Sequence, residues 1–179
     1  EAKRESIELL RRVNIPDPEH RFYQYPHEFS GGMCQRAMIT MTLAMKPELL
    51  IADEPTAALD VTIQAQILDL LTDLKQDYDM SVLLISHDLG VIAQNCDYIL
   101  VMYLGKIVEK ATPIQLFKNP CHPYTQALID AIPIPDPSQP PRPHDLKGDV
   151  PSPLNIPVGC RFHTRCPKAM PECAKKEPP

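Results

Sequence analysis

Asp53 and Glu54 end the apolar run Leu49-Leu50-Ile51-Ala52. Two adjacent carboxylates at the end of a buried strand are costly unless a cation or a reaction uses them. Phosphoryl transfer uses both. Asp53 would hold Mg2+, through water, and Glu54 would polarise the water that attacks a γ-phosphate. Two solvated charges at a strand end are the plain alternative. His87 follows a second apolar run, Ser81 to Ile85, so in a parallel sheet it reaches the same carboxyl edge, where open α/β sheets bind ligands. An imidazole there would contact the γ-phosphate and orient the lytic water; the alternative is a structural histidine. Ser30-Gly31-Gly32 opens a third element, a helix continued by Met38, Met41, Thr42 and Met45. Ser30 is placed to cap that helix, and two residues without side chains would let phosphate oxygens reach its backbone N–H groups. Taken alone, Ser-Gly-Gly is a common loop.

These residues need an α/β frame. The runs Leu49 to Ala52 and Ser81 to Ile85 read as buried strands. Between them Ile63, Ile67, Leu70, Leu71, Leu74 and Tyr78 recur at helical spacing across Val61 to Tyr78. The unit is strand, crossover helix, strand, parallel and right-handed by the general rule. Further on, Gly105 divides two strand-like runs within Asp97 to Glu109, which predicts a hairpin. Thr112-Pro113 and His122-Pro123 read as helix starts, since proline is tolerated at the first helical position. Beyond Pro133 the chain is expected to be extended: nine of the 21 prolines fall in residues 133–157.

The 179 residues, 44% hydrophobic, suffice for one core plus an appendage, and the formal charge of -5 argues against the broad basic surface that grips nucleic acid or anionic lipid. No apolar run approaches the ~18 to 20 residues that span a bilayer, and the first residues, EAKRESIELL, contain no signal peptide. Of six cysteines, Cys34 and Cys96 read as small buried residues and Cys121 as a loop residue. Cys160, Cys166 and Cys173 cluster, where metal binding or free thiols are expected rather than disulfides.

The ordered set from about Tyr25 to Gly90, namely Ser30-Gly31-Gly32, a helix, Asp53-Glu54, Ala58-Leu59-Asp60, a crossover helix and His87, resembles the ATP-binding-cassette (ABC) ATPases. The resemblance implies the C-terminal part of a RecA-like ABC nucleotide-binding domain, with parallel strands and crossover helices. It implies that Ser30, Gly31 and Gly32 are signature residues acting on a partner's ATP. Asp53 and Glu54 would form the Walker B pair, Asp60 would belong to the D-loop, and His87 would be the switch histidine. The family commonly has Leu-Ser-Gly-Gly-Gln where this chain has Phe29-Ser-Gly-Gly-Met33. In such proteins two cassettes pack head to tail and share each active site. No G-x-x-x-x-G-K-[ST] phosphate loop occurs, so it is expected before Glu1, and these residues alone are expected to bind ATP poorly.

Asn119-Pro-Cys-His-Pro-Tyr-Thr-Gln-Ala-Leu128, the proline-rich run and Gly159-Cys-Arg-Phe-His-Thr-Arg-Cys-Pro167 resemble the C-terminal extension of oligopeptide and dipeptide importer ATPases, shared with nickel importers. The expected division is therefore a partial cassette at 1–112 and a Pro/Cys-rich extension at 113–179. The relatives suggest a four-iron [4Fe-4S] cluster on Cys160, Cys166 and Cys173, with a fourth cysteine beyond Pro179 or at Cys121. Zinc with His163 as fourth ligand is the rival, and free thiols are the third reading.

The resemblance implies ATP hydrolysis that drives peptide import, with ATP and Mg2+ bound. The expected partners are a second ABC ATPase subunit, transmembrane permease subunits and, indirectly, a peptide-binding protein, with no nucleic acid. The expected place is the cytoplasmic face of the inner membrane, as a peripheral subunit. A DNA-repair or chromosome-organising ATPase is the alternative within the class; a metal-stabilised interaction module is the non-enzyme alternative.

Overall fold

The structure is a computed structural model that describes residues 1–132, 146 and 148–178. The expected extended stretch from Pro133 lies largely outside the described residues. The chain forms two compact units, Glu1–His87 and Asp88–Pro179.

In the first unit the strand-helix-strand pattern folds as its periodicity dictates. Strand β1 (Leu49–Asp53) pairs in parallel with β2 (Ser81–Ile85), Leu49 opposite Ser81 and Asp53 opposite Ile85. The connection is the long helix α4 (Val61–Asp77), capped by Asp60, whose Oδ1 accepts the Ile63 N–H at 3.0 Å. Before β1 come α1 (Ala2–Arg12), the short α2 (Pro18–Arg21), a 3-10 turn at Pro26–Glu28, and α3 (Gly31–Leu43). The core joins Leu10, Ile39 and Leu43 to Leu50 and Ala52 of β1 and to Ile67, Leu70, Leu71 and Leu74 of α4. Arg36 ties three pieces together, donating to the Val13 carbonyl at 2.7 Å and to Gln66 Oε1 at 3.1 Å.

The strands are not buried on both faces as expected. Leu50 and Ala52 point into the helical layer, whereas Leu49, Ile51, Leu83 and Ile85 are exposed, the first two by 52% and 60%. Side chains alternate along a strand, so helices on one side cover only every second residue.

The second unit contains α5 (Leu89–Asn95), the antiparallel hairpin β3 (Ile99–Tyr103) and β4 (Lys106–Ala111), α6 (Pro113–Lys118), α7 (Pro123–Asp130) and a short 3-10 turn at Pro171–Ala174. The hairpin turns at Leu104-Gly105, both with positive φ. Both expected Pro-led helices form. Thr112 Oγ1 accepts the Gln115 N–H, and His122 Nδ1 accepts the Tyr124 N–H at 3.1 Å. Phe162, fully buried, packs edge-on against Tyr103 (5.1 Å) and tilted against Tyr124 (5.4 Å) and His122 (5.5 Å). The tail segment around Phe162 is therefore part of this unit's core.

Candidate functional site at the carboxyl edge of the parallel strands

Glu54 and His87 meet. The Glu54 N–H donates to the Ile85 carbonyl at 2.9 Å, carrying the β1–β2 ladder one residue past the strand. Its carboxylate Oε1 accepts the His87 backbone N–H at 3.2 Å and lies 2.9 Å from His87 Nδ1. A carboxylate only accepts, so this pair fixes the tautomer with the proton on Nδ1. The imidazole remains largely exposed, with 85% of its side-chain surface open, while the Glu54 side chain is 36% exposed. Asp53, the last residue of β1, is exposed beside them. The arrangement joins a carboxylate and an oriented imidazole at one rim, groups whose chemistry suits polarising a water.

The loop from Glu54 to Asp60 is held in an uncommon shape. Glu54 (φ 45°) and Ala58 (φ 61°) both occupy the left-handed region, which costs roughly 1–2 kcal/mol for a residue with a Cβ. Pro55 and Thr56 are buried beneath it, and turn bonds run from Ala57 N–H to the Glu54 carbonyl and from Leu59 N–H to the Thr56 carbonyl. Strained backbone of this kind is found at sites that position reacting groups. Glutamate and alanine are not residue types that announce a positive φ, so the sequence carried no signal for it.

Ser30 caps α3 as expected, its Oγ accepting the Met33 N–H at 3.3 Å. Gly31 is exposed, but Gly32 is buried, and a Cβ there would come within 2.7 Å of Ile63 Cγ2. The second glycine thus has a packing reason, the close approach of α3 to α4, besides the ligand reason read from sequence. Asp60 is likewise engaged as the α4 cap. Ser30 to Gly32 lie beside the Leu59–Ile63 segment, so two helix N-termini adjoin.

Among the described residues no three His, Cys, Asp or Glu side chains are placed to hold a metal ion. Backbone bonding explains the geometry: the Cys160 N–H donates to the Cys173 carbonyl at 2.8 Å, while His163 turns its backbone N–H (3.0 Å) and Nδ1 (2.7 Å) onto the Cys160 carbonyl. Cys166 sits on a separate turn closed by the Ala169 N–H. Cys121 is exposed, its thiol directed at the Asn119 carbonyl at 3.6 Å. Cys34 and Cys96 are half-buried rather than buried. The expected iron-sulfur or zinc centre thus finds no support among the described residues.

Residues 1–57 match the family described as "ABC transporter", and residues 108–173 match "Oligopeptide/dipeptide transporter, C-terminal region". Among solved structures, cbiO1 from Clostridium perfringens, part of the ABC transporter complex cbiONQ, aligns with TM-score 0.58 and 29% identity over 65% of this chain and 45% of that one. The ATP-binding cassette MJ0796, in a dimeric post-hydrolysis state bound to ADP and Pi, aligns with TM-score 0.53 and 26% identity over 62% and 46%. The fold is that of the ABC ATPase nucleotide-binding domains. The oligopeptide transport ATP-binding protein AppD of Bacillus subtilis is 51% identical over 178 residues, 99% of this chain and 54% of AppD. The chain is similar to the ATP-binding subunits of oligopeptide and dipeptide ABC transporters, and it spans about half the length of the curated relatives it matches.

Proposed function

We propose that the protein is the ATP-hydrolysing subunit of a two-cassette importer of oligopeptides or dipeptides. The observation that carries this reading is the Glu54–His87 pair at the carboxyl edge of β1 and β2. When bound, Mg2+ neutralises charge on the transferred phosphoryl group, and Asp53, exposed at the same rim, is the residue to hold it. Glu54 takes the proton of the attacking water, and His87 holds the Glu54 carboxylate in position. Ser30, Gly31 and the N-terminus of α3 face the ATP of a second cassette, as the dimeric likeness supports. Asp60 belongs to the loop between the two sites.

In this reading residues 1–112 belong to the cassette and 113–179 to the family's extension, although the compact units divide after His87. No helix among the described residues is long and apolar enough to cross a membrane. In this reading the subunit docks from the cytoplasmic side on separate permease subunits, which receive substrate from a peptide-binding protein. The cysteine group takes part in no step.

The test is Glu54→Gln in the full-length subunit assembled with its partner. ATP binding is expected to persist while turnover falls at least ~100-fold, the usual weight of a general base. Near-normal turnover would remove Glu54 from the mechanism.

A further inference from the structure

Arg36 stands one turn after Gly32 on α3, so both residues lie on the face of that helix that meets α4. The two helices touch there at two levels. At Gly32 the approach is so close that a Cβ would lie 2.7 Å from Ile63 Cγ2, and one turn on Arg36 Nη2 donates to Gln66 Oε1 at 3.1 Å. The other arm of the guanidinium, Nη1, donates to the Val13 carbonyl at 2.7 Å. Val13 is fully buried and caps the C-terminal end of α1, where carbonyls lack partners within the helix and carry partial negative charge. Among the described residues no carboxylate pairs with Arg36, although it is half-buried and burial draws its pKa below the ordinary arginine value. The other side-chain hydrogen bonds of α3 are, among the described residues, local: they run to its own backbone or to the turn just before it. A half-buried cation held by neutral acceptors is a costly way to join three helices, and apolar packing of similar volume would serve stability as well. What apolar packing lacks is direction. The planar fork fixes both the separation and the register of α3 against its neighbours.

We infer that Arg36 is a positioning residue for the N-terminus of α3, holding Ser30 and Gly31 where they complete the site on a second cassette. The inference rests on the shared-site reading given above and adds the group that sets where those residues stand. Ser30 and Arg36 are six residues apart, about 9 Å along the helix at ~1.5 Å per residue. Arg36 therefore acts through the helix and not on the nucleotide. Over two turns a helix behaves as a stiff rod, so a shift where the guanidinium anchors it is carried to Ser30. A misplacement of about 1 Å at a reacting site can cost on the order of 100-fold in rate. Gly32 permits the close approach of α3 to α4 but exerts no pull, so without the fork the seam is free to slide.

The experiment uses the assembled full-length two-cassette complex and reads kcat, KM for ATP and the thermal midpoint. The variants are Arg36→Met, Arg36→Lys, Gln66→Met, Ser30→Ala and the double variant Ser30→Ala/Arg36→Met. Arg36→Met keeps an apolar stem and removes both arms, and kcat/KM is expected to fall roughly tenfold or more. Arg36→Lys, with one ammonium in place of the fork, and Gln66→Met, which leaves the Val13 arm, should fall between it and the unaltered complex. The double variant decides. Because both changes act on one end of one helix, its loss should fall short of the product of the two single losses by at least about threefold, which general destabilisation would not produce. Losses that multiply in full, or a lower thermal midpoint with kcat/KM unchanged, overturn the positioning role and leave the shared site standing. If Arg36→Met does not assemble, Gln66→Met combined with Ser30→Ala decides by the same comparison. An unimpaired Ser30→Ala complex overturns the shared site itself, and this inference with it.

Discussion

Two histidines of this chain have fixed tautomers of opposite kind, and each has a different consequence. His87 presents a protonated Nδ1 to Glu54, so removing the ring frees the carboxylate that the proposed mechanism aims at water. His87→Ala is expected to lower turnover by roughly 100-fold with ATP affinity less affected, read from kcat and KM separately. His122 uses Nδ1 as an acceptor for the Tyr124 N–H, which a doubly protonated ring cannot do. Burial lowers the His122 pKa below the ordinary 6.5, partly opposed by the Glu109 carboxylate. A lowered histidine favours the folded state at higher pH, so its contribution is present above the ordinary value and is lost as pH falls through 6.5 toward the lowered one. For Glu109 burial acts upward. The neighbouring Thr125 side chain and the N–H groups of Cys121 and His122 outweigh it, and the net pKa lies below 4.5. Its contribution is lost only at still lower pH. The thermal midpoint is expected to fall in two stages on acidification, and His122→Asn, which keeps an acceptor at the cap without titrating, should remove the upper stage. The residue types of the Glu54 rim were readable from sequence because carboxylates and a histidine after apolar runs are unusual. The Glu109 latch was not, because its partners are backbone N–H groups from another element.

At the level of elements, β1, α4 and β2 form where hydrophobic spacing placed them, and Ser30, Asp60, Thr112 and His122 all cap the helices they precede. Capping and periodicity are local, so a sequence expresses them directly. Close packing between helices is not local, and the contact of Gly32 with Ile63 became visible only in the folded chain. Gly32→Ala forces a Cβ against a stiff β-branched side chain and is expected to destabilise the first unit by about 1–3 kcal/mol, measured by denaturant unfolding. Ile63→Ala in the same chain should recover part of the loss. If the glycine served only phosphate approach, stability would not change. Helix α1 places Ile7 and Leu10 at helical spacing between charged residues, yet only Leu10 along it is buried.

For the molecule as a whole, composition marked a change of character near the proline-rich run, while compactness divides the chain after His87. The difference arises because the β3–β4 hairpin packs with the Pro-led helices and Phe162, contacts that composition does not encode. Cysteine spacing was similarly incomplete evidence: among the described residues proximity along the chain does not produce a metal-holding group, although a backbone bond joins Cys160 to Cys173. Gly159 makes that closure feasible, with φ 77° and a position where a Cβ would lie 2.4 Å from the Cys173 carbonyl oxygen. Gly159→Ala is expected to open the tail, seen as faster hydrogen exchange at the Cys160 amide and earlier proteolysis near Cys173. The apolar row of Leu49, Ile51, Leu83 and Ile85 has another kind of consequence. A parallel ribbon with one greasy side and, among the described residues, two strands without further partners offers a template to any similar strand in solution. A preparation of these 179 residues by themselves should therefore scatter light increasingly with concentration, and Ile51→Lys on the open side should keep it clear.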